Sequence, residues 1–302
     1  MPAHVPNRSG PSGPSGPSRR SVLTTAGLVA AGVALDGTVG ASSASAAAAP
    51  AIFYSPHQDD EAIGLAGSIL EHKAAGRPVY LVLVSKGENG GLAEYMNQGD
   101  CKTLGDRCSA PGHHHRLGWQ ESWPTPEVVA GRTAEFALSA KALGVDKVIN
   151  FKLSDEAFGD YDNFVKKVMA KVRALAQQYP GASHKFAAGW LDGTDTHKAC
   201  SDAAYWLMKN GELTDVRFNY IYAYKHFSDP ADRGRGADYV LHIPAAHMAR
   251  KRASILAYNT WDPGRNLYSL GYHSVSDWLE PAYADPREFV YTLPKKYKPG
   301  KL

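Results

Sequence analysis

The sequence lacks several features that would place it at once. Among 302 residues there are three cysteines, too few and too widely spaced for paired C-x-x-C zinc knuckles. No G-x-S-x-G turn and no G-x-x-x-x-G-K-[ST] loop is present, which removes support for a serine hydrolase of that type or a nucleoside-triphosphate site. The uncharged run Ser21–Leu35 is shorter than the ~20 residues needed to cross a bilayer as a helix. Charge is also close to balance, with 33 Lys and Arg against 30 Asp and Glu. Nothing in that balance, and no basic stripe, points to a nucleic-acid partner.

What the chain does contain begins with a leader-like segment. Ser9–Ser18 is a Gly/Pro/Ser stretch too poor in apolar side chains to fold. Arg19-Arg20, the uncharged run and the small-residue stretch Ala41–Ala49 follow, with Ala44-Ser45-Ala46 fitting a cleavage site. The paired arginines resemble a twin-arginine signal. Residues 1–48 are therefore expected to be an export signal cut near Ala46, and the mature protein, residues 49–302, to be secreted with no membrane span. The leader holds Arg8, Arg19, Arg20 and Asp36, so 30 basic and 29 acidic residues remain without it. In an oxidising compartment Cys101 and Cys108 are expected to pair across the polar loop Lys102–Arg107. Cys200 reads as a small buried side chain.

From Pro50 onward, short apolar runs alternate with amphipathic segments. The pattern predicts strands at Ala51–Ser55, Val79–Ser85, Lys147–Phe151, Phe186–Trp190, Phe218–Tyr224 and Tyr239–Ile243. Helices are predicted at Glu61–Ala75, Glu127–Leu143 (ended by Gly144), Asp162–Gln178, His197–Asn210 and Ala246–Tyr258. Lys86–Pro126 reads as a long irregular insertion of the kind that forms lids or specificity loops. Strand and helix in alternation imply an α/β fold: one domain with a mostly parallel sheet between two helical layers. Ligands in such folds sit outside the carboxyl ends of the strands.

Two polar clusters fall at those ends. After the first strand comes Ser55-Pro56-His57-Gln58-Asp59-Asp60-Glu61, one imidazole and three carboxylates in a single turn. Groups packed this closely need a cation or a substrate to organise them. His57 and Asp60, three apart, can converge on one point. A catalytic zinc ion needs a third protein ligand, and the run after Phe186–Trp190 offers one in His197.

These segments resemble the PIG-L/LmbE-like family of zinc-dependent N-deacetylases. Ser-Pro-His-Gln-Asp-Asp-Glu is similar to the family's His-Pro-Asp-Asp-Glu motif, and Ser85-Lys86-Gly87-Glu88 to its Thr-x-Gly-Glu. Arg132-Thr133-Ala134-Glu135 with Leu143-Gly144 resembles its Arg-x-x-Glu…Leu-Gly helix. His197 through Ala203 resembles the helix carrying the last metal-binding histidine, and Asp238 and Lys251…Tyr258 echo its late segment. The resemblance implies a Rossmann-like three-layer sandwich. It also implies His57, Asp60 and His197 as ligands of one zinc ion, with iron an alternative, and Asp59 as general base. Arg132 and Asp155 match substrate-contacting positions. Glu61 reads as a helix-starting residue instead.

One departure stands out. Family members often carry a histidine three residues before the last ligand, and here that position is Thr194. Asp195, His226 and His273 are the candidates to replace it as oxyanion or acid helper. Tyr220, Tyr222, Tyr224, Trp261, Trp119 and Trp123 are candidate pocket aromatics, and His113-His114-His115 reads as a solvated loop. The expected activity is removal of an N-acetyl group from an amino sugar or its conjugate, with a small-molecule or glycoconjugate substrate. The alternatives are an amidase for a larger acyl group and a non-catalytic carbohydrate-binding protein.

Overall fold

The strands alternate faces as their sequence requires. Ala51 and Phe53 of β1 (Ala51–Ser55) point to one side of the sheet, and Ile52 and Tyr54 to the other. The computed structural model describes residues 48–98, 116–155 and 159–300. The leader, the Cys101–Cys108 pair and the three consecutive histidines lie outside the described residues.

After β1 the chain turns through a π-helical segment, Glu61–Leu65, into α1 (Ala66–Ala74), then β2 (Val79–Ser85) and α2 (Gly90–Asn97). Next come α3 (Pro126–Leu143), β3 (Lys147–Leu153), α4 (Tyr161–Gln178) and β4 (Ser183–Ala187). A short α5 (Gly189–Asp192) leads into α6 (Asp195–Lys209), β5 (Val216–Asn219) and a single turn α7 (Ala223–His226). The chain ends with β6 (Tyr239–His242), α8 (Ala245–Ala257), a small hairpin of β7 (Trp261–Asp262) and β8 (Leu267–Tyr268), α9 (Leu270–Ala284) and β9 (Arg287–Tyr291).

Seven strands make one sheet in the order β3-β2-β1-β4-β5-β9-β6. The first five are parallel, and β9 runs antiparallel to both of its neighbours. Apolar side chains of the π segment, α1 and α3, among them Leu65, Ile69, Phe136 and Leu143, cover one face with Phe53 and Leu81. Phe164, Val168 and Val172 of α4 and Ala199 and Ala203 of α6 cover the other with Ile52, Val82 and Phe186. Each large side chain buried in this way contributes about 1.5–3 kcal/mol. This is the α/β sandwich expected from the strand–helix alternation. Among the described residues no helix is long and apolar enough to cross a membrane.

The order of the strands positions the site. From β1 the chain steps outward to β2 and β3, then returns to the other side of β1 for β4 and β5. The strand order therefore reverses between β1 and β4, where a crevice opens at the carboxyl ends. The turn after β1 carries His57–Asp60, and the first turn of α6, reached from β4 through α5, carries His197.

Several boundaries differ from the sequence expectation. β4 stops at Ala187, because Gly189–Asp192 turns into a helical segment closed by the left-handed Gly193. β5 stops at Asn219, so Tyr220, Tyr222 and Tyr224 do not share a strand face. Lys86–Pro126 holds a helix, α2, capped by the Asn89 side chain accepting from the Leu92 N–H. The predicted helix from Glu61 begins with π geometry, and α9 and β9 were not anticipated. Helix α9 contains Pro281 and a non-helical Val275, which interrupt the pattern a helix shows in sequence.

Candidate metal centre and its cleft

The turn after β1 is built around Asp60. Its Oδ2 accepts from the His57 backbone N–H at 2.8 Å, and this bond folds His57 back over the helix start. Asp59 takes φ +91°, a region that residues with side chains seldom adopt. Its carbonyl accepts from the N–H groups of Ala62 and Ile63, closing the turn into the π segment. Asp59 and Asp60 thereby diverge: Asp60 points beneath, and Asp59 lines the cleft above.

His197 arrives from the other side of the reversal. Gly189 allows the approach, since a Cβ there would lie 2.2 Å from the His197 carbonyl carbon and oxygen. Ser201 Oγ, one turn along α6, accepts from Gly189 N–H and donates to Ala187 O, each at 2.8 Å. The result brings one atom each of His57, Asp60 and His197 within 4.8 Å of one another. His197 Nε2 stands 3.1 Å from Asp60 Oδ2 and 3.2 Å from His57 Nδ1, and His57 Nδ1 is 3.6 Å from Asp60 Oδ2.

Each imidazole is fixed from behind by a carboxylate. His57 Nε2 donates to Asp155 Oδ2 at 2.9 Å, leaving Nδ1 to face the cluster. His197 Nδ1 donates to Asp192 Oδ2 at 2.8 Å, leaving Nε2 to face it. Carboxylates behind ligating histidines set the tautomer and raise ligand basicity. The other Asp155 oxygen accepts from Thr196 Oγ1 at 2.5 Å, and the Asp155 N–H donates to Glu88 at 3.3 Å. Asp155, expected from the resemblance to meet substrate, is thus already bonded to His57 and Thr196, although it also lines the cleft.

The residues present fit a divalent ion. Asp60 Oδ1 is buried with no hydrogen-bond partner, and Oδ2 of the same carboxylate stands beside two imidazole nitrogens. An orphaned carboxylate oxygen in the interior is costly unless a cation meets it. Two nitrogens and a carboxylate oxygen are the donor set of hydrolytic zinc sites and also suit iron. The electrostatics agree. Burial by itself would lower His57 and His197, yet the carboxylates beside them lift them to about 9 and about 10. Burial would raise Asp60, but His197 and His57 hold it well below the usual carboxylate range. The site attracts positive charge, whether carried by protons or by a metal.

Above the cluster lies a cleft of about 410 Å³ lined by His57, Asp59, Arg132, Asp155, Tyr222 and Trp278 among others. Burial pushes Asp59 up to about 6, opposed chiefly by the Arg132 guanidinium. Arg132 Nη2 donates to Asp59 Oδ2 at 3.1 Å and to Gln58 O at 3.0 Å, and Nη1 donates to Gly87 O at 3.3 Å. Arg132 is therefore buried and paired with Asp59. Gly87, at φ +67°, leaves no room for a Cβ, which would fall 2.1 Å from Gln58 Oε1.

The three candidate helpers take no part in the cleft lining. Asp195 is exposed on the first turn of α6. His226 Nδ1 bonds the Tyr220 hydroxyl at 2.7 Å, and His273 Nδ1 donates to Ser269 O at 2.7 Å. Thr194 Oγ1 is buried and unpartnered. Of the candidate aromatics, Trp123 and Tyr222 line the cleft, whereas Trp119 and Trp261 pack on Tyr268. Glu61 does not merely begin a helix. It is fully buried, and Ser139 Oγ and Tyr258 Oη donate to its Oε1 at 2.5 and 2.6 Å. Asp192 and Trp278 had no assigned role in the sequence reading. An acidic residue five before His197 was the one available signal for Asp192.

Residues 52–207 match the family model for PIG-L, described as GlcNAc-PI de-N-acetylase. The chain belongs to the PIG-L family. With that family goes hydrolysis of an amide C–N bond, as N-deacetylases perform it. No curated protein matches the chain. Solved structures similar to this PIG-L member include a deacetylase–teicoplanin complex of the teicoplanin biosynthesis pathway. That match has 13% identity and a TM-score of 0.56, covering 80% of this chain and 96% of that one. The A40926 pseudoaglycone deacetylase Dbv21 is similar at 16% identity and a TM-score of 0.51, over 80% and 95% of the two chains. GalB, the 4-carboxy-2-hydroxymuconate hydratase of Pseudomonas putida KT2440, is similar at 16% identity and a TM-score of 0.51, over 84% and 100%. At such identities the likeness is one of fold. A hydratase among the neighbours illustrates that this fold alone does not decide the reaction.

Proposed function

We propose that this protein is an exported, metal-dependent hydrolase that removes the N-acetyl group from an amino sugar or amino-sugar conjugate. The observation that carries the reading is the convergence of His57 Nδ1, Asp60 and His197 Nε2 directly below a cleft into which Asp59 projects. His57, Asp60 and His197 would hold one divalent ion, zinc by donor type. Such an ion, when bound, supplies Lewis acidity and a nucleophilic water at neutral pH.

Asp59 is the general base. It takes a proton from the attacking water and passes it to the nitrogen of the departing amine as the C–N bond breaks. Arg132 holds the Asp59 carboxylate in place through the 3.1 Å bond. Asp155 and Asp192 keep the two imidazoles turned toward the ion. Aromatic faces of Trp123, Tyr222 and Trp278 give a sugar ring surfaces to stack on. The family description, GlcNAc-PI de-N-acetylase, supports an amino-sugar amide, and two solved neighbours are named as deacetylases. The leader-like sequence of residues 1–48 supports a reaction outside the cytoplasm.

A second reading, an amidase for a longer acyl chain, is favoured by the apolar wall of Val275 and Trp278 along the same cleft. The test is amine release from a panel of N-acetylated and N-acylated amino sugars, using metal-replete protein, a chelated control and an Asp59→Ala variant. Release that needs both metal and Asp59 is the expected result. An intact panel with stoichiometric metal bound would favour a carbohydrate-binding protein, and absence of metal binding would overturn the proposal.

A further inference from the structure

The sequence leaves one catalytic position without an occupant. Thr194 stands where a helper histidine is expected, and Asp195, His226 and His273 do not line the cleft. As an amide carbonyl is attacked, its oxygen gains negative charge, and a hydrogen-bond donor aimed at that oxygen lowers the barrier. Arg132 is already committed to Asp59, Gln58 O and Gly87 O.

Tyr222 stands in the cleft with a hydroxyl to spare. It lines the same cleft as His57 and Asp59. Its ring lies on the His197 ring with centroids 4.6 Å apart and on the Trp278 ring at 4.7 Å. Lys225 Nζ covers both the Tyr222 and Trp278 rings at 5.0 Å. The backbone is tied down as well, because Tyr222 N–H donates to Asp192 Oδ1 at 2.8 Å while Asp192 Oδ2 holds His197. One carboxylate therefore fixes Tyr222 relative to a metal-site histidine. The Tyr222 side chain is largely buried, yet its hydroxyl has no hydrogen-bond partner among the described residues. A phenol that lines the cleft and has no protein partner is free to donate to a bound substrate.

We propose that the Tyr222 hydroxyl donates a hydrogen bond to the carbonyl oxygen of the scissile amide as that oxygen gains charge, filling the place that Thr194 leaves open. The phenol keeps its proton throughout, and the transfer from water to amine remains with Asp59. The inference rests on the N-deacetylase reading above.

Tyr222→Phe tests it, because the ring contacts and the backbone bond to Asp192 persist while the donor is lost. The expected result is a kcat lower by about 10²–10³-fold, with KM changed by less than about two-fold. Calorimetry with the phosphonamidate analogue of the N-acetylated sugar, a tetrahedral mimic, is the second measurement. It should show a comparable loss of affinity, with affinity for the free amine and the bound metal content unchanged. Wild-type kcat and unchanged phosphonamidate affinity in Tyr222→Phe would overturn the proposal. So would a loss of activity that follows a loss of metal. If instead the wild-type protein binds metal but cleaves no amide, the deacetylase reading itself fails, and the role of Tyr222 falls with it.

Discussion

Asp192 and His197 form a fully buried pair in which Nδ1 of the imidazole donates to Oδ2 of the carboxylate at 2.8 Å. Burial raises Asp192 and its bond to His197 draws it back down, so the pair depends on His197 being present as a donor. Asp192→Ala frees the imidazole to rotate and leaves its Nδ1–H unpaired. Metal affinity is expected to fall about 10–100-fold, as for other carboxylates behind metal-binding histidines. Competition titration against a chromophoric chelator measures it, and an unchanged affinity would remove Asp192 from the site.

Asp59→Asn keeps the shape of the cleft and the contact with Arg132 but removes the base. Turnover should drop by about 10²–10⁴-fold with metal content retained. Arg132→Met is expected to act differently, because it leaves Asp59 buried without its cation. The expected cost to folding is about 3–5 kcal/mol by denaturant titration, in addition to lost activity. A stability equal to wild type would show that Asp59 is hydrated when Arg132 is gone.

Gly189→Ala places a methyl group 2.2 Å from the His197 carbonyl. Either α5 or α6 must shift, at a cost of about 1–3 kcal/mol. Because the displaced residue is His197, metal binding should weaken in the same variant. Unfolding and metal titration together separate this from a change at Gly193, where a Cβ meets nothing within 4 Å.

His184 supplies a pH dependence away from the metal site. Burial lowers it from its ordinary 6.5 to about 4, and its Nδ1 lies 3.0 Å from the Tyr54 hydroxyl. The folded chain therefore holds fewer protons at this residue than the unfolded chain. Its contribution to stability is intact above 6.5 and declines as the pH falls toward 4, by about 3 kcal/mol in total. Urea titrations between pH 7 and 4 should show a steeper loss for the wild type than for His184→Gln. Parallel curves would contradict the assignment.

Much of the site was legible because its signals are local. His57, Asp59 and Asp60 lie within four residues of one another at the end of a plain hydrophobic strand, and His197 opens a regular helix. Substrate-facing roles were harder to read. Asp155 is a loop aspartate in sequence, and only the proximity of His57, 98 positions away, shows what its carboxylate meets. Tyr222 sits among alternating tyrosines that resemble a strand face, yet β5 ends at Asn219 and the chain turns toward the cleft.

By itself, then, the order of residues determined the strand–helix alternation, the sandwich class and the three groups that converge below the cleft. These follow from period-2 and period-3.6 burial, from charge crowding within the turn at His57–Glu61, and from the place of His197 after another predicted strand. The tertiary structure alone decided which carboxylate stands behind each histidine, that Arg132 pairs with Asp59, and which tyrosine reaches the cleft. Apart from the Asp192–His197 bond, which spans five positions, those choices are made by contacts between segments 30 to 98 residues apart. Such contacts leave no periodic trace, because an oriented hydrogen bond depends on where two strands bring their ends in space rather than on spacing along the chain.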